Sequence, residues 1–332
     1  MNRVSTNPRI DGESDLSHSI HAGKVAVVGA GGVGASFSFA LLLSGLASEI
    51  VLIDANQSKA EGEALDLNHA VPHTHPTRVW AGDYGDCAGA AVTIVAAGAA
   101  QQSDQSRLEL AEKNSDIFRR IVPNIVRNNP TGIILVATNP VDVLTRLTWE
   151  LSGMPEEKVL GSGTILDTAR FRHLLSLHFG VDPHSVHAYI VGEHGDTEVP
   201  LWSLANIAGM RFPEFCAVNN MKCDNDEMEK IFRRTRDAAY EIIRKKGATY
   251  YAIGAGLVRI VTAILRNQRT VLSVSTRITD YYGINGTFLS MPCVVGGAGV
   301  ERYLRLNLSD DEATALQHSA AVVDKSMESI RQ

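Results

Sequence analysis

Several common signatures are missing from this 332-residue chain, and each absence removes a class of function. No apolar run reaches transmembrane length; Phe37 to Leu43 and Ala88 to Ala100 are shorter and read as buried helix or strand. The first twenty residues, MNRVSTNPRIDGESDLSHSI, have no apolar centre of the kind a secretory signal carries. They read as a flexible polar arm that can pack on a neighbouring subunit. No basic excess exists: the formal charge is −6, which argues against bulk nucleic-acid binding. Cysteines number four (Cys87, Cys216, Cys223, Cys293), scattered with neither zinc spacing nor a disulfide framework, so no metal is expected and a reducing cytoplasm is the simple reading. Internal repeats and low-complexity segments are also missing. What is left is 45% apolar and 20% charged, ordinary for a globular protein with room for two substantial cores.

The first half alternates strand and helix. Strands are expected at Lys24 to Val28, Glu49 to Ile53, Thr77 to Trp80, Ala90 to Ala96 and Gly132 to Ala137, with an apolar helix from Gly34 to Leu46. Gly98 to Arg107 reads as a polar loop leading into a helix that Pro123 interrupts. This rhythm predicts an α/β fold with a doubly wound parallel sheet, the Rossmann arrangement, joined to a second α+β catalytic domain. The expected division is 1–22 arm, 23–163 dinucleotide-binding domain and 164–332 substrate domain. In the second half, helices are expected around Ile165 to Phe179, Asp226 to Lys246 and Tyr250 to Arg266. Strands are expected at HAYIV, Val271 to Ile278 and Met291 to Val295, and Ser309 with Glu312 forms a capping-box pattern.

Two features carry chemistry. Gly29-Ala30-Gly31-Gly32-Val33-Gly34 fits G-x-G-x-x-G, follows a strand, opens a helix and is succeeded by Asp54 at the next strand's end. Gly29 would permit the tight turn, Gly31 the approach of a pyrophosphate, and Gly34 close helix–strand packing. Asp54 would accept both ribose hydroxyls and repel a 2′-phosphate, which predicts NAD over NADP. The second is His194 in Ile190-Val191-Gly192-Glu193-His194-Gly195-Asp196, an imidazole able to give and take a proton near neutrality. Arg170 lies one helical turn after Asp167, so both can face one pocket, although on these two residues alone a surface ion pair is the favoured reading.

Several segments in order resemble the lactate/malate dehydrogenase family, most of all its bacterial lactate members: GAGGVG, VLIDAN, EALDLNHA, GAAQQSDQSRLEL, ATNPVDVLT, GSGTILDTARFR, HAYIVGEHGDTEVPLWS and KGATYYAIG. The resemblance implies L-lactate dehydrogenase activity, a reversible hydride transfer between NADH and pyruvate giving L-lactate and NAD. His194 would then be the acid/base, Asp167 its orienting partner and Arg170 the bidentate clamp on the substrate carboxylate. Arg107, on a closing loop, would stabilise charge on the carbonyl oxygen. Asn139 would hydrogen-bond substrate and cofactor, Thr249 would line the far pocket wall, and Ile253 would lie against the nicotinamide. Val33, Lys59, Tyr84, Gly98, Ala99, Asn114, Thr138 and Ser162 fall where the family contacts the dinucleotide.

Gln101 stands where the family's malate enzymes carry an arginine; a second substrate carboxylate would be buried there without a counter-charge, which favours pyruvate. Ala100 and Ser103-Asp104-Gln105 depart from the family's usual loop. Arg172 and His187 match positions at which bacterial members bind fructose bisphosphate across a subunit dyad, which implies an allosteric homotetramer. Two rival readings stay open: a dehydrogenase for malate or a bulkier 2-oxo acid, and a non-catalytic NAD-binding protein on the same scaffold.

Overall fold

The computed structural model describes residues 23–99, 107–221 and 223–331, apart from the side chains of Arg107 and Leu108. The arm, Gln101 with its neighbours Ala100 and Ser103 to Gln105, and the Arg107 guanidinium lie outside the described residues. The six strands of the first half are β1 (Gly23–Val28), β2 (Ala47–Ile53), β3 (Arg78–Ala81), β4 (Val92–Val95), β5 (Ile133–Val136) and β6 (Val159–Gly161). They run parallel in the spatial order 3-2-1-4-5-6 of a doubly wound dinucleotide fold. Crossover helices cover both faces, so the central strands VTIV and IILV are buried at every residue and carry no polar alternation. These helices are α1 (Gly32–Ser44), α2 (Gln57–Ala70), α3 (Arg107–Asn128) and α4 (Val141–Ser152).

In the second half, α5 (Ile165–Phe179) is followed by short strands β7 (Val186–His187), β8 (Ile190–Val191), β9 (Val199–Pro200), β10 (Asn206–Ile207) and β11 (Met210–Arg211). Helices α6 (Phe212–Val218), α7 (Asn225–Lys246) and α8 (Tyr251–Leu265) come next. The chain ends in β12 (Thr270–Ile278), β13 (Thr287–Gly296), β14 (Gly299–Tyr303) and α9 (Asp310–Ser329). The last three strands do not form a separate sheet. β12 joins β6 antiparallel at Ser275 and Gly161, giving one nine-stranded sheet through both halves. A second apolar cluster, around Phe171, Phe179, Phe212 and Phe232, binds α5 to α6 and α7.

Four local expectations are corrected. HAYIV is not one strand: β7 pairs with β10 and β8 with β9, because Ile190 N–H leaves the ladder to donate to Thr168 Oγ1 (3.1 Å). Pro123 does not interrupt α3, since Phe118, Val122 and Ile125 are all fully buried and their packing outweighs the lost backbone bond. Cys216 and Cys223 form a disulfide (S–S 2.07 Å). The chain reverses between them, with Asn220 at φ 54° and Met221 N–H closing on Cys216 O (2.9 Å), which no spacing rule reveals. Finally, β14 escaped notice because Glu301 and Arg302 in GVERY mask its pattern. Among the described residues, no helix is long and apolar enough to cross a membrane.

The capping box is present and does more than cap. Ser309 Oγ accepts from Glu312 N, while Glu312 Oε2 accepts from Ser309 N (3.0 Å) and from Ser203 Oγ (2.6 Å), and its Oε1 accepts from Ser203 N (2.9 Å). Ser309→Ala should therefore cost about 1 kcal/mol of stability. Glu312→Ala, which also strips the partners of Ser203, should cost about 2–3 kcal/mol. Urea denaturation of both variants checks this; equal losses would mean that the Ser203 bonds contribute nothing.

Candidate active site

The turn after β1 is shaped by what cannot fit there. Gly29 has φ 106°, and a Cβ on it would lie 2.4 Å from Ala97 N; on Gly34 it would lie 1.9 Å from Gly29 O. Gly31 differs: a Cβ there meets nothing within 4 Å, so its open side is where another molecule can approach the backbone. No side chain caps the start of α1, leaving its first N–H groups and partial positive charge for an anion. Asp54, at the end of β2, is fixed to this turn: Oδ2 accepts from Ala30 N (2.7 Å) and Oδ1 from Asn56 N (2.9 Å). Val33 is half-buried on the first turn of α1, and Lys59 is exposed on α2. Tyr84 is half-buried, its hydroxyl pushed above the usual range by burial and then by Cys87 and Asp54. The donor set, the open glycine and the anchored carboxylate fit a dinucleotide.

A second lacing holds the ends of β4 and β5. Asn114, 1% exposed, accepts from Ala99 N (2.7 Å) and donates to Asn139 O (2.8 Å). Thr138 Oγ1 donates to Ala97 O (2.9 Å), and a Cβ on Gly98 would meet Thr138 Cγ2 at 2.4 Å. Asn114 and Thr138 thus hold two loops in place, while Asn139 itself is exposed at the end of β5. Ser162 is buried after β6, and Thr249 and Ile253 are half-buried at the junction of α7 and α8.

His194 meets Asp167 where α5 passes under the loop after β8. Its Nδ1 lies 2.5 Å from Asp167 Oδ2, and Arg170 donates to Asp167 Oδ1 (3.0 Å). The loop is fastened on all sides. Thr164 and Ser273 donate to Ile190 O, Ser290 exchanges two backbone bonds with Gly192, Glu193 N donates to Ser319 Oγ (2.7 Å), and His194 N donates to Asp142 Oδ2 (2.7 Å). Burial opposes charge on His194, but the Asp167 carboxylate outweighs it through charge and hydrogen bond, with Asp142 adding to it, and the imidazole is pushed up to about 9. For Asp167 burial pulls upward, yet the His194 cation and Arg170 hold it below the usual carboxylate range. With Nδ1 engaged, Nε2 is the nitrogen that can exchange a proton with a ligand.

Sequence reasoning missed two buried carboxyls. Asp142, three residues after Asn139, is raised to about 6 by burial against hydrogen bonds and the His194 charge, and so is ionised at neutral pH. Glu198, four residues after His194, is raised to about 9 by burial and by Asp167, so it stays protonated there. Their only signal was acidic residues inside otherwise apolar or turn-forming motifs. Arg172 Nε donates to Ala188 O (2.8 Å), with its guanidinium 4.8 Å from the Tyr189 ring, beside the exposed His187.

A doubly wound sheet with this turn, beside an imidazole–carboxylate pair, defines a dinucleotide-dependent dehydrogenase. The NAD binding domain of lactate/malate dehydrogenases matches residues 23–161, and their alpha/beta C-terminal domain matches 164–332. The chain belongs to the lactate/malate dehydrogenase family. It is 48% identical to L-lactate dehydrogenase 1 of Clostridium acetobutylicum over 92% of this chain and 98% of that one. It is 50% identical to the L-lactate dehydrogenase of Moorella thermoacetica over 91% and 96%. The solved minor L-lactate dehydrogenase of Enterococcus mundtii superposes with a TM-score of 0.89 at 41% identity, covering 92% and 98%.

The dinucleotide of this family is NAD, and the anchored Asp54 carboxylate puts a negative charge beside the dinucleotide turn. Asp54→Ser should weaken NADH binding about tenfold and narrow its margin over NADPH, since the negative charge beside the turn and the brace on Ala30 are lost together. Fluorescence titration with both nucleotides reads the effect; an unaltered ratio would remove Asp54 from cofactor choice.

Proposed function

We propose that this chain is an NAD-dependent L-lactate dehydrogenase in which His194 is the acid/base, Asp167 its partner, and Arg170 and Arg107 the groups that bind and polarise pyruvate. The observation that carries the reading is the 2.5 Å contact of His194 Nδ1 with Asp167 in a fastened loop beside the dinucleotide domain. NADH, when bound, supplies the hydride to the carbonyl carbon. His194 delivers the Nε2 proton to the carbonyl oxygen, and Asp167 stabilises the cation before transfer and fixes the tautomer after it. Arg170, already oriented by Asp167, offers a planar fork to the substrate carboxylate. Residues 23–163 hold the dinucleotide, with Asn114 and Thr138 supporting the loops from which Ala99 and Asn139 contact it. Residues 164–332 hold the substrate, and Thr249 and Ile253 close the pocket.

Gln101 brings no counter-charge for a second carboxylate, so pyruvate is the substrate expected over oxaloacetate. Steady-state reduction of pyruvate, oxaloacetate and larger 2-oxo acids tests this; preference for oxaloacetate would make the enzyme a malate dehydrogenase. The pH dependence tests His194. Reduction needs the imidazolium and should fade as pH rises through about 9, whereas lactate oxidation needs the neutral ring and should fade as pH falls through the same value. Limbs in the same direction for both reactions would remove His194 as the shared proton carrier.

The enzyme works in the cytoplasm, in fermentation, as a homotetramer. Fructose bisphosphate bridges Arg172 and His187 from two subunits and neutralises their charge, favouring the active assembly. The support is their neighbouring placement, with Arg172 bonded to the backbone next to His187. Pyruvate saturation and sedimentation with and without the bisphosphate check this; identical curves and identical mass would leave both as ordinary surface residues.

A further inference from the structure

Asp142 is not among the residues proposed to meet substrate or cofactor, yet among the described residues it is the carboxylate that accepts from the backbone of His194. It lies in the first turn of α4, three residues after Asn139, and is 2% exposed. Its Oδ2 accepts from His194 N at 2.7 Å and its Oδ1 from Ser290 Oγ at 3.2 Å. Ser290 also exchanges both backbone bonds with Gly192, so α4, β13 and the catalytic loop close into one small ring. We propose that Asp142 is a positioning residue for His194, its buried carboxylate fixing the histidine backbone and supplying a second negative charge beside the imidazole. This rests on the reading of His194 as the acid/base.

The arrangement makes sense of an otherwise costly placement. A buried carboxylate needs donors or a cation, and here it has His194 N–H, Ser290 and the His194 charge. Burial raises its pKa to about 6, still well below that of His194, so it is ionised throughout the range in which His194 titrates. The groups facing the pair are Asp167 and Arg170 on α5, and Glu193 and Glu198 on the loop, with Arg236 on α7 facing Glu198. Glu198 stays neutral up to about pH 9, so Asp167 and Asp142 are the buried charges that favour the imidazolium at neutral pH.

Two properties are thereby separable. Asp142→Asn keeps an oxygen acceptor for His194 N–H but removes the charge. The alkaline limb of pyruvate reduction should move down by about one pH unit, while KM for pyruvate stays within about threefold. Asp142→Ala removes the acceptor as well, and kcat should fall about tenfold or more even well below the limb. Ser290→Ala keeps the charge and loosens its anchor, so kcat should fall about two- to threefold with the limb in place.

The experiment is a set of pH–rate profiles for reduction and oxidation by the wild type and these variants, with His194→Gln alongside. A wild type that does not reduce pyruvate, or a His194→Gln that retains the rate, overturns the underlying reading. If both behave as expected but the Asp142→Asn limb coincides with the wild type, only the Asp142 assignment is overturned. Should Asp142→Asn fail to fold by circular dichroism, Ser290→Ala decides: an unchanged kcat overturns the assignment.

Discussion

A carboxylate held at 2% exposure stays ionised only where donors or cations meet it, and Asp167 meets two cations. His194 and Arg170 each take one of its oxygens, at 2.5 and 3.0 Å. Each of the three side chains would be poorly placed without the others. The buried charge keeps the imidazole protonated, the imidazole and guanidinium keep the carboxylate ionised, and the shared carboxylate sets the direction of the guanidinium. The proposed proton transfer and substrate capture and the local stability thus draw on one electrostatic cluster.

That cluster is useful only because the surrounding backbone does not give. The loop from Ile190 to His194 receives bonds from α4, α5, β12, β13 and α9, elements drawn from both halves of the chain. The sheet supplies the common frame. Since β12 joins β6 rather than starting a sheet of its own, β13 is carried to the His194 loop and all ten of its residues are buried. The dinucleotide turn is held by a different means, steric exclusion: Gly29 and Gly34 sit so close to Ala97 and to each other that only hydrogen fits, while Gly31 faces open space. One site is organised by charge and the other by the absence of side chains.

Much of this was legible in the residues. Glycine spacing, buried β-branched runs and Asp54 after the second strand specify a dinucleotide fold because each is a local demand: a turn without Cβ, a strand covered on both faces, an acceptor one strand away. The α5 spacing of Asp167 and Arg170 put both on one face, and the Ser309–Glu312 cap needed no partner beyond its own turn. Motif order identified His194 and its family.

The amino-acid sequence by itself therefore determined the elements and the dinucleotide turn and singled out His194, because these depend on neighbours within a turn or on a strand–turn–helix unit. The choice between a surface ion pair and a buried cluster for Asp167 and Arg170 was made only by the tertiary structure, which places His194 against Asp167. The same holds for Asp142 and Glu198, for the Cys216–Cys223 bond and for the second role of Glu312 at Ser203. Burial and charge partnership are properties of a position in space. Residues 52, 83 and 109 apart in the chain acquire them only when the sheet brings their elements together.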